Sequence, residues 1–211
     1  MNKTFITGVD RNMQDLLPWW IKNIRKHDKE TKITVANFGM DPKWAAWAKK
    51  HVDTFLEYPQ HKKCAWFWKP HTLLAAPYEY KCWLDIDCEV LTDITDIFDY
   101  VDGTNIGLTD DPCRRKEVPG EKWLATGVNV VKGKPNLLKL WHKWCQNTNK
   151  RGDQEVMHDL LKVDYQRQFI VELPMEYQWL RIQLARGQDN PNKKVIHWTG
   201  PAGKDHIRST F

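Results

Sequence analysis

The stretch Lys81-Cys82-Trp83-Leu84-Asp85-Ile86-Asp87-Cys88-Glu89-Val90-Leu91 runs an apolar strand straight into two carboxylates one residue apart. In an extended chain residues i and i+2 share a face, so Asp85 and Asp87 are expected to point the same way, roughly 6–7 Å apart along the backbone. Two carboxylates aimed together repel unless a cation lies between them. Oxygen ligands at that spacing suit a hard divalent ion such as Mg2+ or Mn2+. The competing reading is a polar strand end facing water, because an Asp-x-Asp triplet is short enough to arise by chance.

Outward from that strand, the chain alternates strands with helices. Thr4 to Val9 reads as a first strand ending in a turn at Thr7-Gly8-Val9-Asp10. Met13, Leu16, Leu17, Trp20, Ile21 and Ile24 follow helical spacing, with Pro18 in the first turn or kinking the helix. Strands are expected over Lys32–Asn37, Val52–Tyr58 and Tyr80–Leu84, and helices over Pro42–Lys50 and Trp66–Ala76. Such alternation implies a mainly parallel sheet with helices on both faces, and ligands then bind outside the carboxyl ends of the strands, where Asp85 and Asp87 fall. Further on, strands are expected at Thr104–Thr109, Ala125–Val131, Phe169–Pro174 and Lys194–His197. Helices are expected from Pro135 and from Gly152, and 113–122 reads as a polar loop.

Composition narrows the class. The 211 residues are 41% hydrophobic and 28% charged, enough for one domain with a full core. The twelve tryptophans read first as core, although indoles also stack on sugar faces. The net charge of +5 is spread among acids, so it fits a phosphate-bearing small molecule; a nucleic-acid binder would need clustered basic residues interleaved with aromatics. Five cysteines without a Cys-x-x-Cys argue against a disulfide framework or a structural zinc, and read as reduced thiols. No signal peptide and no apolar run long enough to span a membrane are seen, and a soluble cytoplasmic protein is expected.

The order of Trp68-Lys69-Pro70, Trp83-Leu84-Asp85-Ile86-Asp87, Thr126-Gly127-Val128-Asn129, Gly152-Asp153-Gln154, Leu173-Pro174 and His197-x-x-Gly200-Pro201 resembles the GT-A-fold glycosyltransferases. It is most similar to the small retaining enzymes of the glycogenin and bacterial lipopolysaccharide galactosyltransferase type, over about residues 3 to 204. More faintly it is similar to glycosyltransferase domains encoded by large algal viruses, which would place it in a host cytoplasm. The resemblance implies an α/β fold: one GT-A-type, Rossmann-like domain over 1–211, with a mixed, mainly parallel central sheet flanked by helices. The nucleotide-binding half would be about 1–100 and the acceptor-side half about 101–211.

It also implies a metal-dependent transfer of sugar from a nucleotide diphosphate sugar, with a UDP-sugar the first expectation, to a glycan or glycoprotein acceptor, with retention of configuration. Asp85 and Asp87 would hold Mn2+ (or Mg2+), Asp85 and Ile86 also reaching the ribose side, and His197 would be the third metal ligand. Thr7, Gly8, Val9 and Asp10 would wrap the base and ribose, and Lys69 would contact base or phosphate. Gly200 and Lys204 would serve the diphosphate, although Lys204 lies one residue further from His197 than the family's lysine does and lacks the Pro-Trp that follows it there. Asp153 would accept from sugar hydroxyls and Gln154 would lie near the reacting carbon. Ala125, Thr126 and Gly127 would border the sugar, and Tyr177, Gln178 and Trp179 the acceptor, with core or surface roles ahead for these last three.

Each residue also has a plain structural reading. His197 can be a strand-end histidine, Lys204 a solvated lysine, Asp153 an N-cap, Thr7 to Asp10 a strand-to-helix turn, and Lys69 a helix-start lysine. Inversion would need a carboxylate base, and Asp110, Asp111, Asp153 or Glu155 could serve. The rival functions are a nucleotidyltransferase, which usually carries a Gly-rich basic loop near its N-terminus, and a non-catalytic carbohydrate-binding module.

Overall fold

A computed structural model describes residues 2–59, 64–117 and 120–210. The chain runs β1 (Lys3–Val9), α1 (Leu17–His27), β2 (Lys32–Asn37), α2 (Pro42–His51), β3 (Thr54–Glu57), α3 (Lys69–Ala75), β4 (Tyr80–Leu84), β5 (Cys88–Val90), β6 (Ile106–Asp110), α4 (Pro112–Glu117) and β7 (Leu124–Lys132). It continues through α5 (Asn136–Gln146), α6 (Asp153–Leu160), α7 (Asp164–Arg167), β8 (Ile170–Leu173), β9 (Trp179–Leu180), α8 (Arg181–Ala185), β10 (Val195–His197) and α9 (Pro201–Thr210). Short 3-10 turns precede α1 and α3. Pro18, Pro42 and Pro70 all sit in first turns, where the missing N–H costs nothing.

Seven strands form one sheet in the order β3-β2-β1-β4-β7-β6-β8, with β7 alone running against the others. This is the expected mixed, mainly parallel sheet flanked by helices. Strand alternation sorts the core onto two faces. Phe5, Cys82 and Leu84 pack with Leu17, Trp20 and Ile24 of α1, whereas Ile6 and Trp83 pack with Leu137, Leu138 and Trp141 of α5. Burying each of these large side chains contributes about 1.5–3 kcal/mol.

A second sheet, β5-β10-β9, joins the segment after β4 to the C-terminal part of the chain. Its strand β10 falls within the expected Lys194–His197, whereas β5 and β9, three and two residues long, are too short to leave a periodic signal. The expected loop 113–122 is also corrected: Pro112–Glu117 is helical, and 118–119 lie outside the described residues. The acid Asp111 at its start supplies the reason, since it accepts the backbone N–H groups of Cys113 and Arg114. No helix among the described residues is long and apolar enough to cross a membrane.

Candidate active site

Strand β4 ends at Leu84, so Asp85 and Asp87 are not held together by a strand's pleat as expected. The chain turns, with the Cys88 N–H donating to the Asp85 carbonyl at 2.9 Å, and Asp85 N–H donates to the Gly127 carbonyl at 2.8 Å. Beyond the turn, β5 pairs antiparallel with β10, setting His197 opposite Cys88, and Trp198 N–H donates to the Asp87 carbonyl at 2.9 Å. His197 Nε2 then lies 3.2 Å from Asp87 Oδ1 and 3.7 Å from Asp85 Oδ2. One ligand atom from each of Asp85, Asp87 and His197 lies within 4.8 Å of the others.

Gly127 makes room for this arrangement. A Cβ there would stand 2.4 Å from His197 Cε1 and 2.6 Å from Nδ1. The other side of the imidazole meets Gln178, whose Oε1 accepts the Val128 N–H at 2.6 Å while its Nε2 faces His197 Nδ1 at 3.2 Å. Two carboxylates and one imidazole, all three lining the same cavity, fit a divalent cation.

Lys204 is not a solvated tail residue. Gly200, at φ +80, turns the chain out of β10, and Gly203 lets α9 fold back, because a Cβ there would lie 1.8 Å from the Trp198 carbonyl oxygen. That fold brings Lys204 Nζ to 2.5 Å from Asp87 Oδ2. Burial opposes the Asp87 charge, but His197 and Lys204 together hold its carboxyl well below the usual carboxylate range.

Lys69 is buried beneath the same turn. Its Nζ lies 3.1 Å from Asp85 Oδ1 and 3.1 Å from Asp153 Oδ2, and donates to the Thr126 carbonyl at 3.0 Å. Burial works against the lysine charge, yet Asp153 and Asp85 outweigh it and raise its pKa. Burial pushes the Asp153 carboxyl up in spite of Lys69. Gly152 is the N-cap of α6 and has no side chain to offer, so Asp153 sits inside the first turn with its carboxylate on Lys69 rather than capping the helix. Its Oδ2 is buried against Lys69, while the residue itself contributes to the wall of a cavity.

That cavity holds about 550 Å3, within the range of small-ligand sites. It collects most of the residues expected at a site: Asp85, Ile86, Asp87 and His197 on one side, Lys69, Asp153 and Gln154 on another, with Gly8, Asp10 and Lys204 completing the wall. Thr7 and Val9 are buried in the core and do not line it, since strand alternation turns them away from the face that Gly8 shares. Gly200 shapes the turn without lining the cavity. Tyr177 is fully buried, and Gln178 stands behind His197.

No protein-family model matches the chain, and no curated protein matches it in sequence. In three dimensions it is similar to galactosyltransferase LgtC, solved in complex with donor and acceptor sugar analogs, with a TM-score of 0.71 at 16% identity over 98% of this chain and 94% of that one. The glycosyltransferase GlyE of Streptococcus pneumoniae TIGR4 superposes with a TM-score of 0.65 at 17% identity, over 94% of this chain and 55% of that one. Mouse xyloside xylosyltransferase 1 gives a TM-score of 0.59 at 10% identity, over 92% and 97% of the two chains. The fold is that of the GT-A glycosyltransferases.

Within this GT-A fold the cavity has further lining that sequence reasoning did not single out as site residues. Trp66 is the large apolar side chain left exposed at the cavity wall, with its Nε1 donating to the Arg151 carbonyl at 3.1 Å. Trp123 is stacked on His158, with ring centroids 3.7 Å apart, and Arg114 lies over it at 5.4 Å. Asp111 was weighed only as one of several possible bases, and its contact with Gln154 joins residues too distant in sequence for any local pattern to reveal.

Proposed function

We propose that the protein is a metal-dependent glycosyltransferase that moves a sugar from a nucleotide diphosphate sugar, most simply a UDP-sugar, to a glycan or glycoprotein acceptor. The observation that carries this reading is the meeting of Asp85, Asp87 and His197 within 4.8 Å at the mouth of a GT-A sheet. A cation held by these three residues, Mn2+ in preference to Mg2+ because one ligand is an imidazole, would offset the negative charge that grows on the leaving diphosphate.

The chain's own groups have complementary tasks. Lys204 is a cation already within the carboxylate cluster, suited to neutralise phosphate oxygens once Asp87 has another partner. Asp153 would accept from a sugar hydroxyl, and Lys69 keeps that carboxylate in place. Gln154 presents an amide to the reacting centre. Gly8 and Asp10 would face the nucleoside, and Thr126 and Gly127 the sugar. No free carboxylate base is needed for transfer with retention, which is the stereochemistry proposed.

Calorimetric titration with a panel of nucleotide sugars, with and without Mn2+, tests the reading. Tight binding of one nucleotide sugar only in the presence of metal is expected and names the donor. Sugar binding that ignores metal, with no turnover, would point instead to a non-catalytic carbohydrate-binding module, and release of diphosphate from a nucleoside triphosphate to a nucleotidyltransferase. NMR of the product's anomeric proton decides the stereochemistry, an inverted product removing the retaining assignment.

A further inference from the structure

Asp111 has both carboxylate oxygens committed. Its Oδ1 accepts the backbone N–H groups of Cys113 and Arg114 at 3.1 and 2.9 Å, and its Oδ2 accepts from Gln154 Nε2 at 2.8 Å. Its own N–H donates to the Trp123 carbonyl at 2.8 Å. Asp111 is 9% exposed, so turning its carboxylate away would strip buried donors of their acceptor. These commitments leave it unsuited to the role of a free base.

They also decide which way Gln154 faces. A carboxylate accepts hydrogen bonds, and only the nitrogen end of a glutamine amide can donate one. Gln154 Nε2 is therefore the end turned to Asp111. Its Oε1 is left on the cavity wall with no partner among the described residues. A carbonyl oxygen there can accept from an incoming hydroxyl and favours positive charge developing at a sugar carbon; an N–H in the same place would do the reverse.

We propose that Asp111 is a positioning residue for sugar transfer, fixing the Gln154 amide so that its oxygen rather than its nitrogen meets the reacting groups. This rests on the glycosyltransferase reading and extends it to a residue outside the metal cluster.

The test uses the polarity of the contact. In Asp111→Asn the helix start keeps a good cap, because the single Asn oxygen still serves the Cys113 and Arg114 N–H groups. The Asn amide nitrogen then faces Gln154, two donors meet, and the Gln154 amide must turn its N–H groups into the cavity. Adding Gln154→Glu restores an acceptor for that nitrogen and returns an oxygen to the cavity. Gln154→Glu alone sets two carboxylates against each other.

Two readouts are taken on the full chain. The first is hydrogen exchange of the Gln154 side-chain amide by NMR, its signal assigned by its loss in Gln154→Leu. Slow exchange in the wild type and fast exchange in Asp111→Asn are expected; equal exchange in both overturns the proposal. The second is steady-state turnover, with UDP and Mn2+ as the binding probe. Asp111→Asn is expected to lower kcat at least tenfold while UDP binding stays within twofold, and the double variant to regain most of the loss. Wild-type kcat in Asp111→Asn, or a double variant no better than that single, overturns it. A wild type that turns over no donor overturns the transfer role outright, while amide exchange still reads the Asp111 to Gln154 contact, so the two failures are told apart.

Discussion

Lys69 Nζ stands 3.1 Å from Asp153 Oδ2, so the lysine that opens α3 compensates the acid that opens α6. The same nitrogen lies equally close to Asp85, which makes one buried cation the common support of the turn that carries Asp85 and Asp87 and of the proposed sugar side.

Removing that cation should cost both stability and function. Lys69→Met leaves Asp153 and Asp85 beside an apolar side chain, and breaking a buried charge arrangement from one side costs about 3–5 kcal/mol. Urea unfolding at neutral pH is expected to show that loss. Adding Asp153→Asn should recover part of it, because an uncompensated buried charge is then gone.

Asp87→Ala should abolish metal-dependent nucleotide binding while the fold survives, because Asp87 lies in a turn and its partners Lys204 and His197 reach it from other elements. Calorimetry with UDP and Mn2+, beside near-UV circular dichroism, separates the two effects. Metal-dependent binding that persists in this variant would remove the cation site. His197→Ala should weaken metal affinity by a smaller factor, as one ligand among several.

Gly127→Ala tests the space beside His197. The added methyl overlaps the imidazole, whose displacement should lower Mn2+ affinity roughly 10–100-fold, the scale seen when a ligand's support is lost. Overpacking would also cost about 1–3 kcal/mol. Electron paramagnetic resonance of free Mn2+ during titration reads the affinity directly.

Acid sensitivity should come in part from a histidine pair between α3 and α5. His71 and His142 have ring centroids 4.7 Å apart. Burial holds His71 below the ordinary 6.5, and burial together with the His71 charge does the same for His142. The folded state thus binds fewer protons than the unfolded chain once the pH drops to about 6.5. Their contribution is present in full above that value and is lost as pH falls through it toward the folded pKa values. The urea midpoint should therefore decline between pH 7.5 and 5.5, and His142→Phe should flatten that decline.

Much of the sheet was legible in the sequence because β2 and β4 are short apolar runs bounded by polar or turn residues, and both occupy the expected residues. The cluster of Asp85, Asp87 and His197 was legible through the resemblance to the GT-A glycosyltransferases, which pairs a late histidine with the two acids. The means of assembly was not, since a turn at Asp85 and a strand as short as β5 leave no periodic signal. Lys204 looked displaced by one residue along the chain, but helical winding after Gly200 places its side chain by angle as well as by distance. Asp111 and Gln154 meet only because the end of β6 and the start of α6 reach the same wall, which no local pattern encodes.

The pairing of β5 with β10 fixes the gap between Asp87 and His197 by backbone hydrogen bonds rather than by side chains. Spacing set in this way is indifferent to how much chain lies between the two strands. Exposed loops between Leu91 and Lys194 can therefore be lengthened, shortened or exchanged without changing the spacing of Asp87 and His197. A slip of β10 by a single residue would instead swing His197 to the opposite side and dissolve the cluster at once. The small sheet thus separates what can drift from what cannot: exposed loops between its strands can change, while Gly127 and Gln178, which pack on His197, are tied to the cluster.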